Sequence, residues 1–320
     1  MAELKNVFSW SFSAAEDFEE CRRRRYWAKY AMWGGWEAGA SDLQRKAYRL
    51  CKMENLFSIR GNAVEKAVMW ALREKQAGRT PGVEEAYEAR AKPYLNGCWS
   101  ESLQRKWEIN PKKYCCLREH YYGRLDTLDK QETQQIVGGI IRSVKLCISN
   151  FIQKVLPSLS SIAPEQEVKV AAAGSGDPES FELGGVKVYA IPDYVYLADG
   201  GLRIHDWKSG KKHEKHLMQM ELYALWAAVR YGMAADHVRG YLEYLASGET
   251  LPVEFNEQTM ATVREKVAQS VSDMAAYLVG GDIAKNEPLP PEDWEMTDSA
   301  DVCGKCSFME LCKPELDRLR

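Results

Sequence analysis

The sequence has no run of apolar residues long enough to span a bilayer, which takes about 20 in succession. Its opening stretch, MAELKNVFSW, lacks the basic-then-apolar pattern of an export signal. No segment repeats, no tract is of low complexity and no GxxxxGK[ST] nucleotide-binding loop occurs. These absences predict no membrane association, and they require any helicase activity to come from a separate chain. A strong excess of charge of one sign is missing too. The formal net charge is −3 over 320 residues, so no global basic field advertises nucleic acid. Cysteine, by contrast, is plentiful. Nine cysteines without an export signal predict a reducing, cytoplasmic setting, where clustered thiols bind metal more often than they form disulfides.

A chain of this length can bury a full core, as one elaborated domain or two. The charge, though balanced, is uneven: Arg22, Arg23, Arg24 and Arg25 are consecutive, and Lys208, Lys211, Lys212 and Lys215 cluster together. A solvated face is the commoner meaning of such clusters, and contact with DNA is the functional one.

The stretch 191–223 organises the rest. Residues 186–196 are rich in β-branched and aromatic side chains and predict a strand. Asp199-Gly200-Gly201 signals a turn, and 202–208 predicts a second strand. Leu202, Ile204, Asp206 and Lys208 then share one face. A loop of Gly200-Gly201 sets Asp193 opposite Lys208, whereas a loop of 198–201 sets Asp193 opposite Asp206. Both registers gather Asp193, Asp206 and Lys208 on one face. Two carboxylates and an ammonium on an apolar face are costly unless paired. An ordinary buried salt bridge would satisfy them. So would a hard divalent cation that keeps waters for a phosphate substrate, with Lys208 acting on an attacking water.

Along the chain, residues 8–34 predict a helix capped at Ser11 or Ser13, with Glu16 completing a capping box. Trp27, Tyr30, Trp33 and Trp36 form an aromatic group beside the arginines. Core packing is the usual role of such a group, and stacking on single-stranded bases is the alternative. Residues 41–58 predict another helix. Next comes an amphipathic helix with the stripe Val64, Ala67, Val68, Ala71 and Leu72, and Glu65 at its edge. Residues 126–157 predict one long helix broken at Gly138-Gly139 and ended before Pro157. Residues 167–172 predict a first strand, and 173–180 a loop. A helix over about 213–231 places Gln219 and Tyr223 one turn apart on the same face. Strands over 238–245 and 251–255 and a helix over 257–278 complete an α/β order.

The C-terminal segment holds Cys303, Cys306 and Cys312 in a C-x2-C-x5-C spacing. Three thiolates call for a fourth ligand, and Cys21 beside the arginines is the choice. The spacing suits either zinc or an iron–sulfur cluster, and the lack of a second C-x2-C pair tilts it to iron–sulfur. Cys51, Cys98, Cys115, Cys116 and Cys147 read as ordinary buried thiols.

Taken in order, Gly61-x3-Glu65, Pro192-Asp193, Asp206-Trp207-Lys208 and Gln219-x3-Tyr223 resemble the RecB-type branch of the PD-(D/E)XK nuclease superfamily. With Cys21 and the C-terminal thiols added, the pattern is similar to its iron–sulfur members, the AddB nuclease domain and the CRISPR-adaptation nucleases. The resemblance implies a restriction-endonuclease-like α/β core, a mixed sheet flanked by helices, over 161–285. It also implies an N-terminal helical segment over 1–60, a first core helix and helical insertion over 61–160, and a cluster segment over 286–320. It implies Mg²⁺ or Mn²⁺ on Glu65, Asp193, Asp206 and the backbone carbonyl of Trp207. Lys208 would act on water, with Gln219 and Tyr223 supporting the site. A [4Fe–4S] cluster on Cys21, Cys303, Cys306 and Cys312 would clamp the two ends, and Arg22–Arg25, Lys211 and Lys212 would contact DNA. The RecB branch carries histidine where this chain has Glu65. Glutamate is usual in other branches and is itself a hard-metal ligand. The implied activity is exonucleolytic hydrolysis of single-stranded DNA or DNA ends in recombination, repair or CRISPR adaptation, with a helicase or integrase as protein partner. The alternative is a non-catalytic DNA-end-binding subunit that kept the fold.

Overall fold

The computed structural model describes residues 5–172 and 177–317. It is an α/β structure. Its strands are β1 (Ser9–Ser11), β2 (Ser180–Leu183), β3 (Val186–Tyr189), β4 (Tyr194–Ala198), β5 (Gly201–Lys208), β6 (Val238–Tyr244) and β7 (Glu249–Glu254). They form two mixed sheets flanked by helices, a three-stranded one in the order β1-β3-β2 and a four-stranded one in the order β4-β5-β6-β7.

The larger sheet carries the chemistry. Ala198 pairs with Gly201, so Asp199 and Gly200 alone make the β4–β5 turn, with φ of 50° and 70°. Two positive φ values match the right-handed twist of the flanking strands, and Asp-Gly tolerates them well. From β5 the chain crosses over through a helix, Lys215–Tyr231, and returns parallel as β6. That crossover helix buries Met220, Leu222, Leu225 and Trp226 in one core with Val195, Leu202, Ile204 and Leu242 of the sheet. The opposite face presents Tyr194, Tyr196 and Trp207 to the stripe Val64, Ala67 and Val68 of the helix Leu56–Gln76. Each fully buried aliphatic side chain on these faces contributes about 1.5–3 kcal/mol relative to exposure.

Local signals were overridden in several places. The helix expected over 8–34 is preceded by β1 and interrupted at Cys21, whose extended backbone (φ −165°, ψ 111°) separates Phe12–Glu20 from Arg22–Tyr26. Ser11 is the cap, and accepts from the Ala14 N–H at 3.1 Å. The single strand expected over 186–196 is two strands in different sheets, parted around Pro192, which cannot donate to a ladder. The strand expected over 167–172 reduces to one bridge, Glu167 to Tyr196. Gly138-Gly139 do not break the long helix, which runs unbroken through Lys130–Asn150. Pro157 does not end it either: a π-helical turn, Phe151–Val155, leads directly into the short continuation Leu156–Leu159 that contains Pro157. Of the loop expected over 173–180, residues 173–176 lie outside the described residues. One helix, Lys130–Leu159, is long and apolar enough to cross a bilayer by length and mean composition alone, though it holds no unbroken apolar run of that length. Its Val144, Cys147, Ile148, Phe151 and Val155 pack into the core with the helix Leu56–Gln76.

At the start of β5 the backbones of β5 and β6 approach so closely that a methyl on Gly201 would collide with the His237 carbonyl oxygen. Gly201→Ala is therefore expected to destabilise the fold by about 1–3 kcal/mol through overpacking. Thermal melting checks this, and an unchanged midpoint would refute the close approach.

Candidate active site and thiol cavity

Val195 lies opposite Ile204, so Asp193, one residue before β4, falls on the same sheet face as Asp206. This is the register expected for the 198–201 loop. The Asp193 Oδ2 accepts the Trp207 N–H at 2.7 Å. The Lys208 Nζ stands 2.5 Å from the Asp206 Oδ2 and donates to the Gln219 Oε1 at 2.6 Å. Gln219 in turn donates from Nε2 to the Tyr223 hydroxyl at 2.7 Å, and that hydroxyl donates to the Ile191 carbonyl at 3.1 Å. The hairpin and the crossover helix thus bring Asp193, Asp206, Lys208, Gln219 and Tyr223 into one connected network. The Trp207 ring points away from it, edge-on to Phe151 at 5.3 Å.

The electrostatics of this network are lopsided. Burial, then the charges of Asp206 and Glu65, push the Asp193 carboxyl well above the usual carboxylate range. The Trp207 N–H and Lys208 offset this only in part. Burial and the same two aspartates push the Tyr223 hydroxyl up as well. Glu65 is exposed on its helix, yet its carboxyl is raised, first by desolvation and then by the Asp206 charge, with Lys66 opposing. The Asp206 Oδ2 is buried and has no hydrogen-bond partner, only the Lys208 ion pair. Carboxylates whose desolvation and mutual repulsion Lys208 and Lys66 only partly offset suit a hard divalent cation, so Asp193, Asp206 and Glu65 fit Mg²⁺ or Mn²⁺ by donor chemistry. Among the described residues, no three His, Cys, Asp or Glu side chains already converge tightly enough to hold an ion.

A cleft of about 620 Å³ opens over Lys208, Gln219 and Tyr223. Its walls include Glu16, expected only as a helix-capping residue, and His216, which the sequence expectations did not single out. Glu16 pairs with Lys215 at 3.0 Å across it, and His216 holds the Tyr244 hydroxyl at 3.2 Å. The spacing His216-x2-Gln219, two positions three apart near the start of the helix Lys215–Tyr231, was the available signal for His216. Burial, then the Lys208 and His213 charges, lower the His216 imidazole to about 4, so it is neutral at physiological pH. Lys211 lines the cleft, while Lys212 pairs with Glu249 at 3.0 Å.

The arginine run, expected to contact DNA at Arg22–Arg25, is not a free cationic patch, because each of these side chains already has a partner within the protein. Arg23 is buried, donating from Nε to the Trp294 carbonyl at 2.7 Å and pairing with Glu315 at 2.7 Å. Arg24 pairs with Asp17 at 2.7 Å and Glu20 at 2.8 Å. Arg22 stands 3.7 Å from Glu295, and Arg25 reaches the Ser9 carbonyl at 3.5 Å. Their positive charge holds the N-terminal helices against neighbouring elements.

Cys21, Cys303, Cys306 and Cys312 line one small cavity of about 20 Å³, together with Arg24 and Trp27. The Trp27 indole N–H donates to the Cys312 sulfur at 3.3 Å, and the Phe308 N–H to the Cys306 sulfur at 3.3 Å. Burial raises the Cys306 thiol to about 12 and also lifts Cys303 and Cys312. Thiols raised in this way become thiolates when a soft metal takes them. Cys51 and Cys115 are half-buried, and Cys98, Cys116 and Cys147 are buried.

An NMR titration is expected to place the His216 midpoint near 4, against ~6.5 for an unperturbed histidine. Because this folded-state value is depressed, the linked stability is present above ~6.5 and is lost as pH falls toward 4. Lys208→Met should move the midpoint upward, and a midpoint that stays put would show that the Lys208 charge does not reach the ring.

Comparison with known proteins sets this geometry in a family. The gene 69 protein of Mycobacterium phage L5 is 27% identical over 139 residues, 42% of this chain and 42% of that protein. The gene 69 protein of Mycobacterium phage D29 is 28% identical over 155 residues, 46% of this chain and 51% of that protein. The chain thus spans about half the length of these curated relatives, or less. The sequence also matches the family model of the PD-(D/E)XK nuclease superfamily over residues 9–313, which include both the hairpin and the four thiols. The chain belongs to the PD-(D/E)XK nuclease superfamily.

Proposed function

We propose that this chain is a divalent-metal-dependent deoxyribonuclease that hydrolyses phosphodiester bonds in single-stranded DNA or at DNA ends. The observation that carries the reading is the network from Asp193 and Asp206 through Lys208 to Gln219 and Tyr223, opening on a cleft. Asp193 and Asp206, with Glu65 and the Trp207 carbonyl, would hold Mg²⁺ or Mn²⁺, which supplies Lewis acidity and lowers the pKa of a bound water. Lys208 is fixed at 2.5 Å from Asp206 and 2.6 Å from Gln219, so its ammonium can orient a water and offset charge on the scissile phosphate. Tyr223 locks the Gln219 amide, and thereby the ammonium. Exonucleolytic action beside a separate helicase or integrase chain is the finer form of this reading, drawn from the RecB-type resemblance.

The second element of the proposal is a [4Fe–4S] cluster on Cys21, Cys303, Cys306 and Cys312, with zinc as the competing occupant. Its support is a cavity lined by these four thiols and no other cysteine. It would serve as a clamp between segments far apart in sequence.

Wild-type protein is expected to cleave single-stranded DNA with Mn²⁺. Asp206→Ala should lower the rate by on the order of 10²-fold or more, and Lys208→Met by a comparable factor. Cleavage that survives in Asp206→Ala would sink the assignment of the site. No cleavage in either protein would return the chain to a non-catalytic DNA-binding subunit. The purified protein is also expected to be brown, with broad absorption near ~400 nm from thiolate-bound iron. A colourless preparation with stoichiometric zinc would overturn the cluster.

A further inference from the structure

Away from the active-site cleft lies a second groove, of about 670 Å³, between the loop after the N-terminal helices and the helix Asp42–Cys51. Its lining combines aromatic rings packed edge-to-face with cations that, among the described residues, face no carboxylate partner. Trp33 and Trp36 meet edge-to-face at 5.1 Å between centroids, and Trp36 meets Tyr48 at 5.5 Å. Trp36 keeps 40% of its surface exposed, an unusual fraction for a tryptophan that packs in a core. Arg45, Arg49, Lys52 and Lys112 also line the groove, and among the described residues none of them is in an ion pair. The carboxylate in the lining, Glu108, is already held by Arg105 at 2.5 Å. On a chain of net charge −3, this is a local surplus of positive charge without carboxylate partners among the described residues, met by the Trp107 ring under Arg49 at 5.3 Å and the Tyr48 ring under Lys52 at 5.4 Å.

The groove is also rigid. Gly35 sits so tightly on the helix that a methyl would meet the Gln44 carbonyl and lie 2.5 Å from the Tyr48 Cβ. Gln44 donates to the Trp33 carbonyl at 3.0 Å, and Arg45 donates to the Ala38 and Ala40 carbonyls at 2.6 and 3.0 Å. The loop bearing the tryptophans is thus fixed to the helix that bears the cations before any ligand arrives.

We propose that this groove binds single-stranded DNA, with unpaired bases stacking on Trp36 and Trp33 and phosphates lying along Arg49, Lys52 and Lys112. Aromatic faces interleaved with basic side chains fit a single strand, whose bases expose their π-faces, and not a duplex, whose bases are already stacked. The choice of DNA over other polyanions rests on the nuclease reading above. The groove would hold the strand at a site separate from the residues that cut it.

The test reads affinity in EDTA, where cleavage is silent, using a fluorescent oligothymidylate of about 20 nucleotides. Trp36→Ala should weaken binding about tenfold, and Trp36→Phe should restore most of it. The double variant Lys52→Glu/Lys112→Glu should weaken binding by at least as much. It should also flatten the salt dependence by about 1.4 in the log–log slope, or ~0.7 per lost phosphate contact. A blunt duplex of the same length should bind Trp36→Ala as well as wild type. Unchanged oligothymidylate affinity in either Trp36→Ala or Lys52→Glu/Lys112→Glu would overturn the proposal, as would an equal loss on the duplex. Lys112 is exposed, so Lys112→Glu alone provides a variant that does not disturb packing. A protein that cuts DNA with Mn²⁺ but shows no effect of these variants keeps the nuclease and loses the groove. One that binds through the groove but does not cut does the reverse.

Discussion

Asp193 and Asp206 stand on one face at the open end of a tight hairpin and share the influence of the Lys208 ammonium. The cost of that arrangement explains much of what surrounds it. Like charges brought together away from water raise each other's pKa, and the Asp193 carboxyl responds as that predicts. The fold supplies partial relief through the Trp207 N–H, and leaves the Asp206 Oδ2 without a hydrogen bond. A structure selected for stability alone would have little reason to keep this deficit, since an apolar replacement is often as good or better. The deficit is what a charged ligand would relieve.

The topology fixes the geometry at which that relief can occur. The two-residue turn sets the register, and the register puts both carboxylates on one face. The parallel return of β6 obliges the chain to cross the sheet, and the crossover helix brings Gln219 and Tyr223 onto Lys208. The same helix carries His216 into the cleft as a neutral ring, next to a lysine whose charge discourages its protonation. Backbone constraints therefore place both the acidic and the basic members.

Much of the site could be read in the sequence because it is local. Asp199-Gly200 is a strong turn signal, and a period of two does the rest for Asp206 and Lys208. Gln219 and Tyr223 need only helical spacing. What could not be read is what depends on distant partners. The arginine run looks like an open polyanion site until Asp17, Glu20, Glu295 and Glu315 come into place around it. Cys21 lies in a stretch of helix-forming residues, and its extended conformation follows from its docking on the C-terminal segment, not from propensity. The split of 186–196 into two sheets turns on Pro192 and on the pairing of β3 with β1, a strand of three residues with no sequence signature. The membership of the family rests on the match over 9–313, and the local motifs lie within that span.

The corner where Arg23 meets Glu315 and Cys21 faces Cys303, Cys306 and Cys312 joins positions separated by nearly the whole length of the chain. During synthesis the ribosome delivers Cys21 well before Cys303, Cys306 and Cys312. The hairpin and crossover helix can form while this corner is still open, because their contacts are closer in sequence. The corner therefore closes only after the 303–312 segment has been made, and a nascent chain stalled before Cys303 would leave the Trp27 side of the corner bare.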